Sequence, residues 1–557
     1  MRNKLALLFV FFVSLINAQD KKPNILWIVC EDISPILSFY GDTTAKTPNL
    51  DALANESLIY DNAFATTPVC GPSRSAIITG MLPSSIGTIH MRTGKDVQSW
   101  GKLAYKDTVK DHLGNLVKDL NGNLIREYSA VIPENVKCFT EYLRANGYYC
   151  TNNQKTDYQF AAPQSAWDEN NAKAHWKNAP KNQPFFSVFN YGETHESRIW
   201  LNKDLHLTVN PNDVPLPDYY PDNEVIRNDL ARLYSNIELL DVQIGKIIAE
   251  LKKDGLYNNT IIFFYSDHGG PLPRQKREIY DSGLKVPFLI RFPNAANKGR
   301  IAQLVSFADL APTILSLANI KPPKYMDGQA FLGNYKAKDR TVIYATSDRF
   351  DEFTDRIRVV RDHQFLYVKN YHTNLPKYKN VSYRFKIPLM MNILENKDKN
   401  QLNSSQNYWF QPKTKEELYD CKNDPFQLNN VANHPLYAKK LQELRKLVIE
   451  QFEDKLDYGK FNEADLINTM WPNGIQPETS KVTSTIVNNV ITLNCATEGA
   501  SISYVMVDKT ATDQISQNSK WQLFTKPIKL APNSKIIAKA SRIGFKESEI
   551  TIISNFK

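Results

Sequence analysis

Three apolar runs, each breaking off into polar residues, constrain this chain more than any other pattern. They are Asn24-Ile25-Leu26-Trp27-Ile28-Val29-Cys30, Pro184-Phe185-Phe186-Ser187-Val188-Phe189-Asn190 and Thr260-Ile261-Ile262-Phe263-Phe264-Tyr265. A nearly continuous apolar run of this length reads as a central strand covered on both faces. The runs lead into Glu31-Asp32, Glu193-Thr194-His195 and Ser266-Asp267-His268-Gly269-Gly270. Open α/β sheets place their sites at the C-terminal edges of such strands. Between the second and third runs, Leu230, Leu233, Ile237, Leu240 and Ile244 recur every three or four residues, which predicts a helix within residues 223–255. Thr47-Pro48 reads as another helix start. Strands alternating with helices predict a large α/β domain.

The segment Cys70-Gly71-Pro72-Ser73-Arg74-Ser75-Ala76-Ile77-Ile78-Thr79-Gly80 reads as a strand-exit loop feeding a short helix. Pro72 suits the first turn, where its missing N–H costs nothing, and Gly80 suits the residue just past the end. Cys70 therefore lies at or just before a helix N-terminus, where free N–H groups and the helix dipole favour an anion. Taken alone, a cysteine there can equally be a small buried hydrophobe. The string as a whole resembles the signature of the type I, formylglycine-dependent sulfatases: Cys, any residue, Pro, Ser, Arg, then Thr-Gly six positions after Ser73. The resemblance runs from Asn24 to about Ala432. It implies an alkaline-phosphatase-like fold, a large mixed sheet flanked by helices with a smaller α+β C-terminal subdomain.

The same resemblance implies a site. A maturation enzyme would oxidise Cys70 to the aldehyde formylglycine (3-oxoalanine), whose hydrate is the family's nucleophile. Glu31, Asp32, Asp267 and His268 match the metal ligands, with the modified Cys70 completing the shell. Mostly hard oxygen ligands suit Ca²⁺. The family's usual first pair is Asp-Asp, so Glu31 is a departure. Arg74 matches the residue that holds the modified side chain. Lys155, in Asn152-Asn153-Gln154-Lys155-Thr156-Asp157, matches a sulfate-binding lysine, although many relatives have histidine where this chain has Asp157. His195 matches the histidine near the leaving oxygen, and Lys276, four residues before Tyr280, matches a second sulfate-binding lysine. The implied reaction is sulfate ester hydrolysis: attack in line on sulfur, then expulsion of the bound sulfate as the second hydroxyl of the hydrate loses its proton. Two alternatives stay open, a phosphomonoester or phosphodiester hydrolase of the same superfamily and a catalytically dead glycan-binding protein, the latter favoured by Glu31 and Asp157.

Length and termini set the rest. A chain of 557 residues exceeds one ordinary core. Residues 1–18 have a basic start, a short apolar centre and a small residue at the break, which predicts a signal peptide and an exported, periplasmic or secreted protein. No later segment has 18 consecutive apolar residues, so no membrane span is expected. Without Arg2 and Lys4 the formal charge of +9 falls to about +7, which suits an anionic substrate. No Arg-rich run or nucleic-acid motif occurs, so no nucleic-acid partner is expected. Of the six cysteines, only Cys138 and Cys150 are close in sequence, and a bridge between them is the one disulfide expected; Cys30 reads as core. No internal repeat stands out.

The catalytic α/β domain is expected over residues 19–345 and the smaller subdomain over 346–470. Residues 477–557, rich in Val, Ile and Thr between turns, read as an all-β, immunoglobulin-like sandwich. Such modules accompany bacterial glycan-degrading enzymes. Trp521 reads there as core or as a sugar contact, and the sandwich is expected to be dispensable for activity on small esters. His90-Met91-Arg92, close after the signature, and Asp348-Arg349, at the start of the subdomain, are candidate substrate contacts or structural salt bridges: His90, Arg92, Asp348 and Arg349. The substrate expected is a sulfated polysaccharide or its oligosaccharides. Lys155-Thr156-Asp157-Tyr158 and Tyr280-Asp281-Ser282-Gly283 look most like sulfatases of marine polysaccharide-degrading bacteria. Ulvan comes first, then carrageenan, fucan or a heparan-type glycan.

Overall fold

The computed structural model describes residues 22–94, 105–512 and 519–554. The expected signal segment, 1–18, lies outside the described residues. Eight strands form the principal sheet: β1 (Asn24–Cys30), β2 (Leu58–Phe64), β3 (Tyr149–Asn153), β4 (Glu169–Asn170), β5 (Phe185–Tyr191), β6 (Thr260–Ser266), β7 (Phe288–Arg291) and β8 (Gly299–Ser306). Their order is β4-β3-β5-β1-β6-β7-β2-β8. The pairs from β4 to β6 are parallel, β7 runs antiparallel to both neighbours, and β2 and β8 are parallel again. The sheet is thus mixed, with β1 at its centre.

Strand β1 explains its own composition. Ile25, Trp27 and Val29 join the core on one face of the sheet, where Trp27 meets Phe186 and Tyr265 edge-on. Leu26, Ile28 and Cys30 join the core on the other, beneath the helix Glu224–Lys253, whose Leu230, Ile237, Leu240 and Ile244 face them. Period-two alternation with both faces covered keeps the strand apolar from Ile25 to Cys30, and the one polar residue, Asn24, sits at its start with its Oδ1 accepting from Phe185 N at 3.3 Å. Full burial of each such large side chain contributes about 1.5–3 kcal/mol. The run stops where the sheet edge meets the site.

A second sheet, β12-β11-β10-β9, is antiparallel: β9 (Ile343–Ser347), β10 (Ile357–Arg361), β11 (Phe365–Asn370) and β12 (Glu416–Asp420). The helix Ala438–Val448 lies on it through Leu441, Leu444 and Val448. The helix Pro388–Asp398 from the same region instead buries Leu389, Met390 and Ile393 in the core of the principal sheet. The subdomain is therefore sewn into the α/β domain.

Residues 109–124 hold a repeat that sequence reading missed. Val109-Lys110-Asp111-His112-Leu113-Gly114-Asn115-Leu116 is followed by Val117-Lys118-Asp119-Leu120-Asn121-Gly122-Asn123-Leu124. Each copy makes the same turn. Asp111 Oδ1 accepts from the N–H of Asn115, and Asp119 Oδ1 accepts from that of Asn123, both at 2.8 Å. Val117 N donates to Val109 O and Ile125 N to Val117 O, so the copies stack. Polar spacing and a period of eight hide the repeat from a search for helices and strands.

The C-terminal region forms two antiparallel sheets. One contains β13 (Val482–Val487), β14 (Val490–Cys495) and β17 (Ile528–Lys529). The other contains β15 (Ser501–Asp508), β16 (Gln522–Leu523), β18 (Ser534–Ser541) and β19 (Thr551–Ser554). Their shared core includes Ile491, Leu493, Ile536 and Ile553. Trp521 is buried, and its carbonyl accepts from Arg144 Nη2 at 2.7 Å, so its place is packing rather than an exposed sugar contact. Lys137 Nζ donates to Gly499 O at 2.6 Å, and Ile543 joins the core of the principal sheet. The expected Cys138–Cys150 bridge is not formed: both are free, buried thiols. Cys138 instead precedes the helix Phe139–Ala145, where its N–H donates to Glu141 Oε2 at 3.0 Å.

Candidate active site

The site forms where β1 and β6 end beside the helix Cys70–Thr79. Cys70 is that helix's first residue, Pro72 lies in its first turn, and Gly80 follows at φ 71. All ten helical residues are buried. A Cβ at Gly71 would fall 1.7 Å from Gln159 Nε2, so any side chain there would have to displace the Gln159 amide. Ser73 Oγ donates to Asp267 O at 2.6 Å, which ties the helix to the end of β6. Asp32 takes φ 53, a left-handed conformation uncommon outside glycine and costly to hold. Its N–H donates to Asp267 Oδ1 at 3.3 Å, and its Oδ2 accepts from Glu196 N at 2.8 Å.

Asp32, Cys70, Asp267 and His268 converge so that one ligand atom from each lies within 4.8 Å of all the others. All four are buried. Cys70 Sγ is 3.4 Å from His268 Nε2, which is 3.0 Å from Asp32 Oδ1. Two carboxylates, an imidazole and a cysteine around one point form a donor set that fits a divalent cation. Glu31 is not in this group. Its Oε1 lies 2.8 Å from Lys155 Nζ, and its Oε2 lies 3.9 Å from His195 Nε2.

Basic residues ring the cluster. Arg74 Nε donates to Asp267 Oδ2 at 2.9 Å and its Nη1 to Asn190 Oδ1 at 2.8 Å. Lys276 Nζ lies 2.6 Å from Asp32 Oδ2 and 3.2 Å from Glu196 Oε1. Lys155 Nζ also lies 3.4 Å from Asp157 Oδ2. Burial pushes the Asp267 carboxyl up, but Arg74 and His268 outweigh it and bring it down to about 2. Burial would likewise favour neutral His268, yet Asp267 and Asp32 drive it up to about 10. The Cys70 thiol is raised by burial and lowered further by Lys276, Lys155 and His268, ending below its ordinary value. The pocket concentrates charge of both signs away from water. This is the environment that stabilises an anionic sulfuryl or phosphoryl group.

Residues 23–320 match the Sulfatase family, and residues 274–407 match the family described as N-sulphoglucosamine sulphohydrolase, C-terminal. An ulvan-active sulfatase of Formosa agariphila is 43% identical over 96% of this chain and 91% of its own. The chain belongs to the Sulfatase family. Human N-sulphoglucosamine sulphohydrolase is 25% identical over 76% of this chain and 88% of its own. The solved structure of a 2-O glycosaminoglycan sulfatase shares the fold, with a TM-score of 0.54 at 20% identity over 78% of this chain and 92% of that one. This sulfatase is accordingly a sulfuric ester hydrolase, and its family implies a formylglycine and a divalent metal.

The four substrate candidates fare differently in this sulfatase. His90 is buried, with Nδ1 2.9 Å from Tyr128 Oη and 3.2 Å from Glu463 Oε1. Arg349 binds Glu463 through two nitrogens and donates to the carbonyls of Met91 and Asp351. Asp348 accepts from Arg358 at 2.9 and 3.1 Å. His90 through its Nδ1, and Arg349 and Asp348 through their charged groups, are engaged by buried protein partners, the arrangement of the salt-bridge alternative. Arg92 differs: its side chain is 32% exposed, and its Nε lies 3.8 Å from Asp351 Oδ1.

Sequence reading missed Glu196, Arg277 and Asn190. Arg277 donates to both Glu196 oxygens at 2.8 and 2.9 Å, with neither side chain exposed. Glu196 thereby shares Lys276 with Asp32. Each of the three adjoins a residue or strand already singled out, and that adjacency is the only signal the sequence carries for them.

Proposed function

We propose that this protein removes sulfate esters from a sulfated polysaccharide or its oligosaccharides, with ulvan the first candidate polymer. The observation that carries the reading is the four-donor cluster around Cys70, ringed by Lys155, Lys276 and Arg74. The similarity to an ulvan-active sulfatase over 96% of the chain supports the polymer class. Cys70 is the residue to be oxidised to formylglycine by a maturation enzyme. Ca²⁺ is the cation that Asp32, Asp267 and His268 would hold, with Cys70 beside them and Glu31 at the margin. Export to the periplasm or beyond follows from residues 1–18 and places the enzyme with its polymer.

When present, the aldehyde hydrate supplies the nucleophile and the cation supplies positive charge against the sulfate oxygens. The chain's own residues do the rest. Arg74, fixed between Asp267 and Asn190, orients the side chain at position 70 and stabilises negative charge there. Lys155 and Lys276 stay protonated because burial is outweighed by Glu31 and Asp32 respectively. Both ammonium groups present charge to sulfate oxygens without reorganising, so they favour the more concentrated charge of the transition state. His195 stands partly exposed at the mouth. Ser197 Oγ, 2.8 Å from its Nδ1, holds the ring so that Nε2 faces the cleft, where it delivers a proton to the departing sugar oxygen.

Two measurements test the reading. Mass spectrometry of the Cys70 peptide from the native host is expected to find an aldehyde; an unmodified thiol in active protein contradicts it. Sulfate release is expected from ulvan oligosaccharides in preference to those of carrageenan, fucan or heparan. Faster turnover of phosphate mono- or diesters than of any sulfate ester would reassign the substrate.

A further inference from the structure

Three segments distant in sequence bring aromatic rings together beside the charged cluster. Tyr383, in the turn Ser382–Lys386, has its ring centroid 5.1 Å from that of Trp200, at 78°, and 4.4 Å from that of His112. Trp200 reaches this place because it lies in the short helix Ser197–Leu201, directly after His195. His112 arrives on the first copy of the eight-residue repeat, where the second copy has Leu120, and its N–H donates to Ser382 Oγ at 3.2 Å. Lys386 Nζ lies 5.2 Å from the Tyr383 centroid and 5.7 Å from that of Trp200.

This group is continuous with the catalytic charges. The Arg277 guanidinium lies 5.9 Å from the Tyr383 ring, and Arg277 holds Glu196, which meets Lys276. Arg92 joins the group through Asp351: its Nε lies 3.8 Å from Asp351 Oδ1, and Asp351 Oδ2 accepts from Arg277 Nε at 2.5 Å. The rings do not form a closed core. Trp200 and Tyr383 are partly exposed, while His112 and Lys386 are exposed. Lys386 has no carboxylate partner among the described residues; its contacts are the two aromatic faces. Partly exposed rings with convergent cations at the mouth of a reactive pocket have the composition of a ligand site.

We propose that Trp200, Tyr383 and His112 form a saccharide platform for the sugar bearing or adjoining the scissile ester. Lys386 and Arg92 take a second anionic substituent on that sugar chain, a carboxylate or a further sulfate. The inference rests on the glycan reading above and adds to it the residues that select the glycan.

The test compares kcat/KM on three sulfated disaccharides with kcat/KM on 4-nitrophenyl sulfate. One disaccharide carries a uronic acid, one a second sulfate, and one neither. For Tyr383→Ala and Trp200→Ala the ratio of disaccharide to aryl sulfate is expected to fall about tenfold, since a lost stacking contact acts on the sugar more than on the ester. Lys386→Gln, at an exposed position, is expected to lower the ratio for the anionic disaccharides about threefold to tenfold and to spare the neutral one. Which anionic disaccharide responds identifies the carboxylate or the sulfate as the ligand. Equal losses on disaccharide and aryl sulfate overturn the platform, and a Lys386→Gln effect as large on the neutral disaccharide overturns the anion contact. Wild-type protein that hydrolyses the aryl sulfate and none of the disaccharides defeats the glycan reading itself, and the platform with it.

Discussion

Lys276 Nζ rests 2.6 Å from Asp32 Oδ2 with both side chains buried, although 244 residues separate them in the chain. The pair joins the end of β1 to the loop after β6 and sets a fixed positive charge against a carboxylate of the four-donor cluster. Asp32 is held in its ionised form because Lys276, His268 and His195 together outweigh its burial.

Removing that ammonium leaves Asp32 and Glu196 short of a counter-charge. Lys276→Met is expected to cost about 3–5 kcal/mol in urea-induced unfolding, the usual penalty for breaking a buried pair from one side. Activity should fall with it. A loss below about 1 kcal/mol would mean that neighbouring charges compensate fully.

The four-donor cluster is expected to make stability depend on a divalent ion. Ca²⁺ at a hundred times its dissociation constant is expected to stabilise the chelated protein by about 2.7 kcal/mol, seen as a higher melting temperature. Asp267→Asn should abolish most of that response. Chelator-treated protein whose melting point ignores Ca²⁺ would remove the cation from the site.

Asp229 carries a pH signature remote from the catalytic cluster. Its Oδ2 accepts from Leu389 N at 2.7 Å, at the start of the helix Pro388–Asp398. Burial raises its carboxyl from 3.8 to about 7, against the lowering effects of that bond and Arg232. A folded pKa above the unfolded one means that the folded state holds the proton longer. Stability from this group is present below about pH 4 and is lost as pH rises through about 7. Asp229→Asn keeps an acceptor for Leu389 and avoids ionisation, so it is expected to stabilise at pH 8 by up to about 4 kcal/mol and to be neutral at pH 4. Unfolding curves at the two pH values decide it; equal effects at both would assign the change to packing.

The sandwich is less separable than its composition implies. Ile543 sits in the principal core, Arg144 binds Trp521 O, and Arg542 donates to Ile132 O. Deleting residues 477–557 is therefore expected to lower the melting temperature by several degrees, in line with about 2–4 °C per kcal/mol for a large domain. Turnover of a small aryl sulfate should persist at temperatures where the truncated chain stays folded. An unchanged melting temperature would show that the contacts carry no net stability.

Much of the chain is legible from local pattern. The runs in β1, β5 and β6 announce buried strands because both faces are covered. Pro72 and Gly80 mark a helix whose first residue is Cys70, since proline and glycine have specific backbone requirements. The signature string marks the chemistry because it holds Cys70 and Arg74 within one short helix, although the other site residues come from segments spread between Glu31 and Lys276. Spacing does not report which polar groups meet across the fold. His90, Asp348 and Arg349 read equally as substrate contacts or salt bridges in one dimension, and only the fold brings Glu463 and Arg358 against them. Glu196 and Arg277 are marked only by adjacency to His195 and Lys276, and the ring group of His112, Trp200 and Tyr383 has no motif of its own. Their roles arise from burial and proximity, properties of side chains brought together by packing, and only the tertiary structure decides those.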